Sequence, residues 1–118
     1  MGKRELARII EDIKENACDS VILVEGKRDE YALEKLGIPY SSIIKVSYKN
    51  NNQIYEDVIR YGRNKIIALY DNDRTGKNKF SMLKSFFEGM GIKILDYKTA
   101  LEKAGITYIE EIDNRLGC

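Results

Sequence analysis

The hydrophobic positions of the chain fall into two alternating patterns. Short, largely apolar runs rich in β-branched residues are typical of strands buried in a parallel sheet. Such runs lie at 21–24, 43–46, 66–70 and 92–95. Apolar residues at helical spacing predict helices at 3–16, 28–36, 54–61, 77–89, 98–103 and 108–116. Strands that alternate with helices predict an α/β fold: a Rossmann-like parallel sheet of about four strands, flanked by helices.

The length of 118 residues fits one domain. We expect a core at about 20–96, the N-terminal helix 3–16 before it and C-terminal helical pieces at 98–116 after it. In the second helix, the side chains expected to face inward are Tyr31, Ala32 and Leu36. The polar stretch 47–53, which contains three successive asparagines, is predicted to be a loop.

The composition limits the kinds of catalysis and metal site that the chain can form. Apolar residues make up 43% and charged residues 33%, which is typical of a globular protein. We expect a cytoplasmic protein without membrane contact, because the chain has neither a signal-peptide pattern nor a long apolar run. Two unclustered cysteines, Cys18 and Cys118, are expected to be reduced. Histidine is absent, so catalysis that depends on it is excluded, and any metal must be held by oxygen, as Mg²⁺, Mn²⁺ and Ca²⁺ are.

The net charge of +1 conceals an uneven distribution. Residues 27–84 carry twelve basic and seven acidic side chains, whereas 1–26 and 85–118 each carry four basic and six acidic ones. A basic middle section makes nucleic acid or another polyanion a candidate partner. A solvated surface of mixed charge would have the same composition.

Two of the apolar runs end in acids. Glu25 follows Val24 directly, and Asp71 follows Tyr70, with Asp73 two residues further on. If the first and third strands are neighbours, their carboxyl ends bring these acids together, and a hard divalent cation would relieve the repulsion. Glycine at position 76 would allow a sharp turn before the next helix.

Acids at strand ends also serve ordinary structural roles. Asp73 is a candidate N-cap of the following helix, and Glu25 is a candidate ion-pair partner of Lys27 or Arg28. Three such acids together, in a chain without histidine, favour the metal site.

Two segments resemble the motifs of the Toprim domain. Residues 21–29, VILVEGKRD, resemble its first motif, in which a hydrophobic strand ends in Glu-Gly, and residues 67–76, IALYDNDRTG, resemble its Asp-x-Asp-x-x-Gly motif. Toprim domains occur in topoisomerases, bacterial-type primases, OLD-type nucleases and the nuclease that matures 5S ribosomal RNA. The match spans about 20–96, so the chain resembles a small stand-alone Toprim protein.

The resemblance implies roles for the matching residues. Glu25 would act as general acid/base and touch the metal, while Asp71 and Asp73 would coordinate Mg²⁺, or Mn²⁺ in its place. The basic residues that flank the motifs are candidate phosphate ligands: Lys27, Arg28, Arg74 and Lys77. Gly26 and Gly76 would be turn residues. No organic cofactor is implied.

The chain also departs from the family. Where many members carry a glycine-containing turn after the second strand, this sequence has residues 47–52, SYKNNN. The additional domains that topoisomerases and primases need do not fit in 118 residues. The leading hypothesis is therefore a small Mg²⁺-dependent nuclease acting on RNA or DNA, and the alternative is a non-catalytic module that binds nucleic acid or recruits a partner. A HAD-type phosphatase fits less well, because its aspartates follow the first strand.

Overall fold

A computed structural model describes residues 3–112 and residue 116. Five helices and four strands alternate along them, with a short 3-10 turn at Tyr40–Ser42. The helices are α1 (Lys3–Ala17), α2 (Lys27–Lys35), α3 (Asn51–Tyr61), α4 (Arg74–Phe87) and α5 (Lys98–Lys103). The strands are β1 (Val21–Val24), β2 (Ile43–Lys45), β3 (Lys65–Ala68) and β4 (Lys93–Leu95). Among the described residues no helix has the length and apolar character needed to cross a bilayer.

The four strands form one parallel sheet in the order β2-β1-β3-β4. The predicted parallel, helix-flanked sheet is therefore confirmed, and β1 pairs with β3, which is the condition on which the meeting of the acids depends. After β1 the chain adds β2 on one side, and it then adds β3 and β4 on the other. The order reverses between β1 and β3, and ligands of open α/β sheets bind at the carboxyl ends of strands at such a switch point.

Alternate residues of the strands enter two hydrophobic cores, one on each face of the sheet. On β1, Ile22 and Val24 pack with residues of α1, α2 and α5, whereas Val21 and Leu23 pack with residues of α3 and α4. Both faces are covered, so all four residues of β1 are completely buried. This burial explains why the strand is an unbroken apolar run.

Two details of the predicted helices are wrong. Helix α3 begins at Asn51, inside the stretch predicted to be a loop, because Asn50 and Gln53 form a capping box: each side chain accepts a hydrogen bond from the other residue's backbone N–H. Tyr31 does not face inward, since its side chain is 60% exposed on the outer surface of α2. Ala32 and Leu36 are buried as expected.

The C-terminal segment is less helical than predicted. Helix α5 matches the predicted bounds, but residues 107–110 form bends and turns, and helical structure resumes only at 111. Residues 113–115 of the predicted second piece lie outside the described residues. Ile106, Ile109 and Ile112 are fully buried in the same core as α1. This segment therefore packs on the face of the sheet that α1 covers.

Candidate functional site

Glu25 and Asp71 meet at the carboxyl edge of the sheet. Glu25 Oε2 accepts a hydrogen bond from the Asp71 backbone N–H at 2.9 Å, so the two strand ends are joined directly. Both residues are half-buried, and they lie at the switch point between β1 and β3. Tertiary structure thus brings together two of the three acids that the sequence predicts to cooperate.

The backbone of Asp71 is held tightly from two sides. A Cβ atom added to Gly76 would lie 2.0 Å from the Asp71 carbonyl oxygen, which is far inside contact distance. Lys98 Nζ, buried at the start of α5, donates to the carbonyl oxygens of Tyr70 and Asp71, each at 2.9 Å. Glycine is required at position 76 for this close approach, and not for a sharp turn, because the residue lies within helix α4.

A pocket of about 410 Å³ opens over these residues and contains two more acids. We call it the acidic pocket, and its four acidic residues are Glu25, Asp29, Asp71 and Glu110. The buried Asp29 accepts a hydrogen bond from the Gly26 backbone N–H at 3.2 Å, and the Ile109 N–H donates to Asp71 Oδ1 at 3.0 Å. The C-terminal segment therefore forms one wall of the pocket.

Burial and neighbouring acids raise the pKa values of two of these carboxyl groups. Burial raises the pKa of Asp71 to about 6, and the nearby charges of Asp29 and Glu25 add to the increase, while the Ile109 N–H opposes it. Burial also raises the pKa of Asp29, with further contributions from Glu25 and Glu110. Ionised acids this close repel one another unless a cation lies between them.

Asp73 stands apart from the other two predicted acids. It is the N-cap of α4, and its Oδ1 accepts a hydrogen bond from the Gly76 N–H at 2.8 Å. The structural alternative for this residue is therefore confirmed, although a capping carboxylate retains a second oxygen. In the described part of the chain, no three side chains of His, Cys, Asp or Glu form a group placed to hold a metal ion.

The predicted basic ligands divide into two groups. Lys27 and Arg28 are exposed and line the acidic pocket. Arg74 is exposed at the start of α4 outside the pocket lining, and Lys77 is paired with Glu102 at 2.7 Å. The cation that contacts Glu25 is Lys79, whose Nζ lies 3.0 Å from Oε1. The ion pair expected for Glu25 is thus made by neither Lys27 nor Arg28.

Gly26 has no comparable steric requirement. It is the N-cap of α2 with an extended backbone, φ −157° and ψ −171°, which any residue adopts. A Cβ at this position would meet nothing nearer than the Ser47 hydroxyl oxygen at 3.6 Å. The prediction of a structural turn that needs glycine is not supported here.

Several residues of the site were missed from the sequence. Lys79 carries a usable signal, because it lies three residues after Gly76 on the same helix and so shares its face. Asp29 lies within the first motif, and its place in the first turn of α2 is typical of a capping acid. Lys98 and Glu110 lie more than 20 residues beyond both motifs, so no local pattern connects them with the site.

Comparison with known proteins gives the chain a family. No family model matches it. A UPF0292 protein of Methanocaldococcus jannaschii is 34% identical over 90 residues, which cover 76% of this chain and 70% of the relative. A UPF0292 protein of Thermococcus sibiricus is 32% identical over 115 residues, which cover 97% of this chain and 87% of the relative. The chain belongs to the UPF0292 family.

The fold of this UPF0292 chain also occurs in a solved structure. A protein from Aquifex aeolicus superposes on it with a TM-score of 0.81 at 31% sequence identity, and the match covers 90% of this chain and 96% of the other.

Proposed function

We propose that this UPF0292 protein catalyses Mg²⁺-dependent phosphoryl transfer on nucleic acid, most simply hydrolysis of RNA or DNA as a small nuclease. The observation that carries the proposal is the contact between Glu25 and Asp71 at the switch point of the sheet. Two acids from separate strands converge at the edge where open α/β sheets bind their ligands. Membership of the Toprim superfamily remains a prediction from the two sequence motifs.

The four acids of the acidic pocket suit a hard cation. They offer carboxylate oxygens, and Mg²⁺ uses one or two carboxylates together with water and substrate phosphate. Asp71 would hold the ion. The second ligand would be Asp73, through the carboxylate oxygen that does not cap α4. The bound ion would neutralise a phosphate and the charge that develops in the transition state.

The remaining residues have roles of their own in this proposal. Glu25 lies beside Asp71 with Lys79 on its other oxygen, a position suited to proton transfer with the leaving or attacking oxygen. Lys27 and Arg28, exposed at the pocket, would bind phosphate oxygens. The N–H of Ile109 orients the Asp71 carboxylate.

A second candidate function is that of a non-catalytic binding module. The capping role of Asp73 favours it, because one of the three acids has a sufficient structural explanation. Such a module would bind nucleic acid with an affinity that falls with salt and survives loss of all three acids.

The test is cleavage of structured RNA, single-stranded DNA and duplex DNA with Mg²⁺ or Mn²⁺. We expect Glu25→Gln and Asp71→Asn each to lower the rate at least about 10²-fold. Asp73→Asn keeps the oxygen that caps α4 and removes the charge, so the same loss is expected if the residue binds metal.

Asp96→Asn is the matched control. Asp96 directly follows β4 as an acid at a strand end, but its side chain accepts a hydrogen bond from the Lys98 N–H at 3.0 Å, and it does not line the acidic pocket. Cleavage should be unchanged in this variant. A wild-type protein that cleaves none of the three substrates, or an Asp71→Asn variant as active as the wild type, contradicts the proposed function.

A further inference from the structure

A second, larger groove lies along the outer edge of the sheet. Its volume is about 640 Å³, and it runs beside β2, which pairs with β1 on one side only. We call it the β2 groove, and its charged side chains are Lys27, Glu30, Lys45, Lys49, Asp57 and Arg60. Cations outnumber anions by four to two, in contrast to the acidic pocket.

The ion pairs of this groove are asymmetric in exposure. Lys45 lies 3.4 Å from Glu30, and Asp57 pairs with both Lys49 and Arg60. The side chain of Glu30 is 11% exposed and that of Asp57 is 13%, whereas their basic partners are between 35% and 73% exposed. The acids are covered and hold the cations in place, so the surface that solvent meets is positive.

The β2 groove leads into the acidic pocket. Lys27 and Ser47 line both, and the Ser47 hydroxyl donates a hydrogen bond to the carbonyl oxygen of Glu25. A polyanion that follows the exposed cations would therefore arrive at Glu25 and Asp71. The side chain of Lys27 forms no ion pair within the described ranges and lies at the junction.

Tyr48 lies between two residues of this groove in an unfavourable conformation. The Lys49 N–H donates to the Val46 carbonyl at 2.9 Å and closes a turn in which Tyr48 has φ +63°, where glycine or asparagine is preferred. Among the described residues it is the one non-glycine residue with positive φ, and its side chain is fully exposed. Neither burial nor local backbone preference accounts for an aromatic ring here, and such outliers cluster at functional sites.

We propose that the β2 groove binds the phosphodiester backbone of a single-stranded nucleic acid and that the Tyr48 ring stacks on one of its unpaired bases. This inference rests on the proposed function for the direction of the strand toward the acidic pocket. Aromatic rings stack on bases that are not paired, while spaced cations follow the backbone. Single strands, rather than duplexes, are therefore the substrate class of the same site.

The experiment is binding of labelled oligonucleotides to the full chain in EDTA, measured by fluorescence anisotropy at several salt concentrations. The probes are a single-stranded RNA, a single-stranded DNA and a duplex of the same sequence. We expect either single strand to bind more tightly than the duplex. Lys45→Gln and Lys49→Gln should each weaken binding a few-fold and reduce the salt slope by about one.

Tyr48→Asn isolates the ring, because asparagine accepts the left-handed backbone. We expect it to weaken single-strand binding at least about fivefold, which is the lower end for one base stacked on an aromatic ring, and to leave duplex binding unchanged. Tyr48→Phe keeps the ring and should bind as the wild type does. Lys93→Gln, an equal charge change on β4 at the opposite edge, should have no effect.

Two results would overturn the inference: tighter binding of the duplex, or unchanged single-strand binding by a folded Tyr48→Asn variant. Circular dichroism verifies the fold of each variant. Because no divalent ion is present, the assay is independent of catalysis. Binding through Tyr48 without any cleavage activity would refute the proposed nuclease and keep the groove, whereas cleavage activity together with unchanged single-strand binding by Tyr48→Asn would refute the groove and keep the nuclease.

Discussion

The acidic pocket and the β2 groove are neighbours with opposite electrostatic designs. In the acidic pocket, carboxylates lie near one another, and burial raises the pKa values of Asp29 and Asp71. In the β2 groove each acid has a cation at hand, with Asp57 bridging Lys49 and Arg60. In the acidic pocket the acids oppose one another's ionisation although Glu25 pairs with Lys79, whereas each acid of the β2 groove is paired with a cation.

The difference distinguishes acids that stabilise the folded state from acids that destabilise it. An acid that holds two cations stabilises its surroundings, whereas an acid crowded by other acids is stabilised by protonation or by an added cation. Clustered acids with raised pKa values are typical of functional sites. The contrast supports a catalytic role for the pocket and a binding role for the groove.

The largest expected effect tests how rigidly the acidic pocket is built. Gly76→Ala places a Cβ against the Asp71 carbonyl oxygen, so we expect a loss of about 3 kcal/mol in the free energy of unfolding. Gly26→Ala, at the junction with the β2 groove, should cost less than about 1 kcal/mol, because there is room for the methyl group. Urea denaturation measures both. Equal losses would mean that the two regions do not differ in packing.

The next effect concerns the buried cation beneath the acidic pocket, compared with an exposed one outside both regions. Lys98→Met removes the ammonium group that donates to the carbonyl oxygens of Tyr70 and Asp71, and we expect a loss of about 2 kcal/mol because two covered acceptors lose their donor. Lys77→Met removes an ion pair in which both side chains are about half exposed, and it should cost less than about 0.5 kcal/mol. If the two variants lose similar amounts of unfolding free energy in the same denaturation assay, Lys98 does not support the pocket.

Acids of the two regions should respond to neutralisation with opposite signs. The pKa of Asp71 is raised from 3.8 to about 6 in the fold, so its stabilising contribution is complete below pH 4 and is lost as pH rises through about 6. At pH 8, Asp71→Asn should therefore raise the free energy of unfolding. The shift corresponds to about 3 kcal/mol, which solvent screening of this half-exposed group reduces to about 1 kcal/mol.

Asp57→Asn should have the reverse effect at pH 8. It removes the partner of Lys49 and Arg60, and we expect a loss of about 1 kcal/mol. Thermal denaturation of the two variants side by side gives the comparison. If Asp71→Asn destabilises the protein at pH 8 and stabilises it at pH 4, the electrostatic reading of the acidic pocket is wrong.

The last expected effect, of about the same size, is stabilisation by Mg²⁺. Proton and ion compete for the Asp71 carboxylate, so the increase in melting temperature with Mg²⁺ should be larger at pH 8 than at pH 5. A concentration several times the dissociation constant corresponds to about 1 kcal/mol. The increase should vanish in Asp71→Asn and persist in Asp57→Asn. Persistence in both variants would place the ion elsewhere.

The core of the candidate site was predictable because its signals are local. Val24 and Tyr70 end buried apolar runs, and the residues that follow them are acids, so parallel strands had to bring Glu25 and Asp71 to one edge. The capping of α4 by Asp73 was visible as an alternative for the same reason. The capping box of Asn50 and Gln53 was also present in the sequence, but the asparagine-rich composition obscured it.

Contacts between distant segments were not predictable. Ile109 reaches Asp71 across 38 residues, and Lys98 reaches its carbonyl oxygen across 27. Tyr31 is exposed because no neighbouring element covers that side of α2. Helical periodicity alone does not show which side of a helix is covered. These features depend on how the elements pack.

The sequence by itself determined the order of elements, the buried strands and the placement of acids at their carboxyl ends, because strand burial and chain direction follow from local patterns. Tertiary structure alone decided that β1 and β3 are neighbours, that the C-terminal segment forms one wall of the acidic pocket and that a basic groove leads into it. Those outcomes depend on long-range packing. The same packing raises the pKa of Asp71, because burial and the approach of Asp29 and Glu25 arise only in the folded chain.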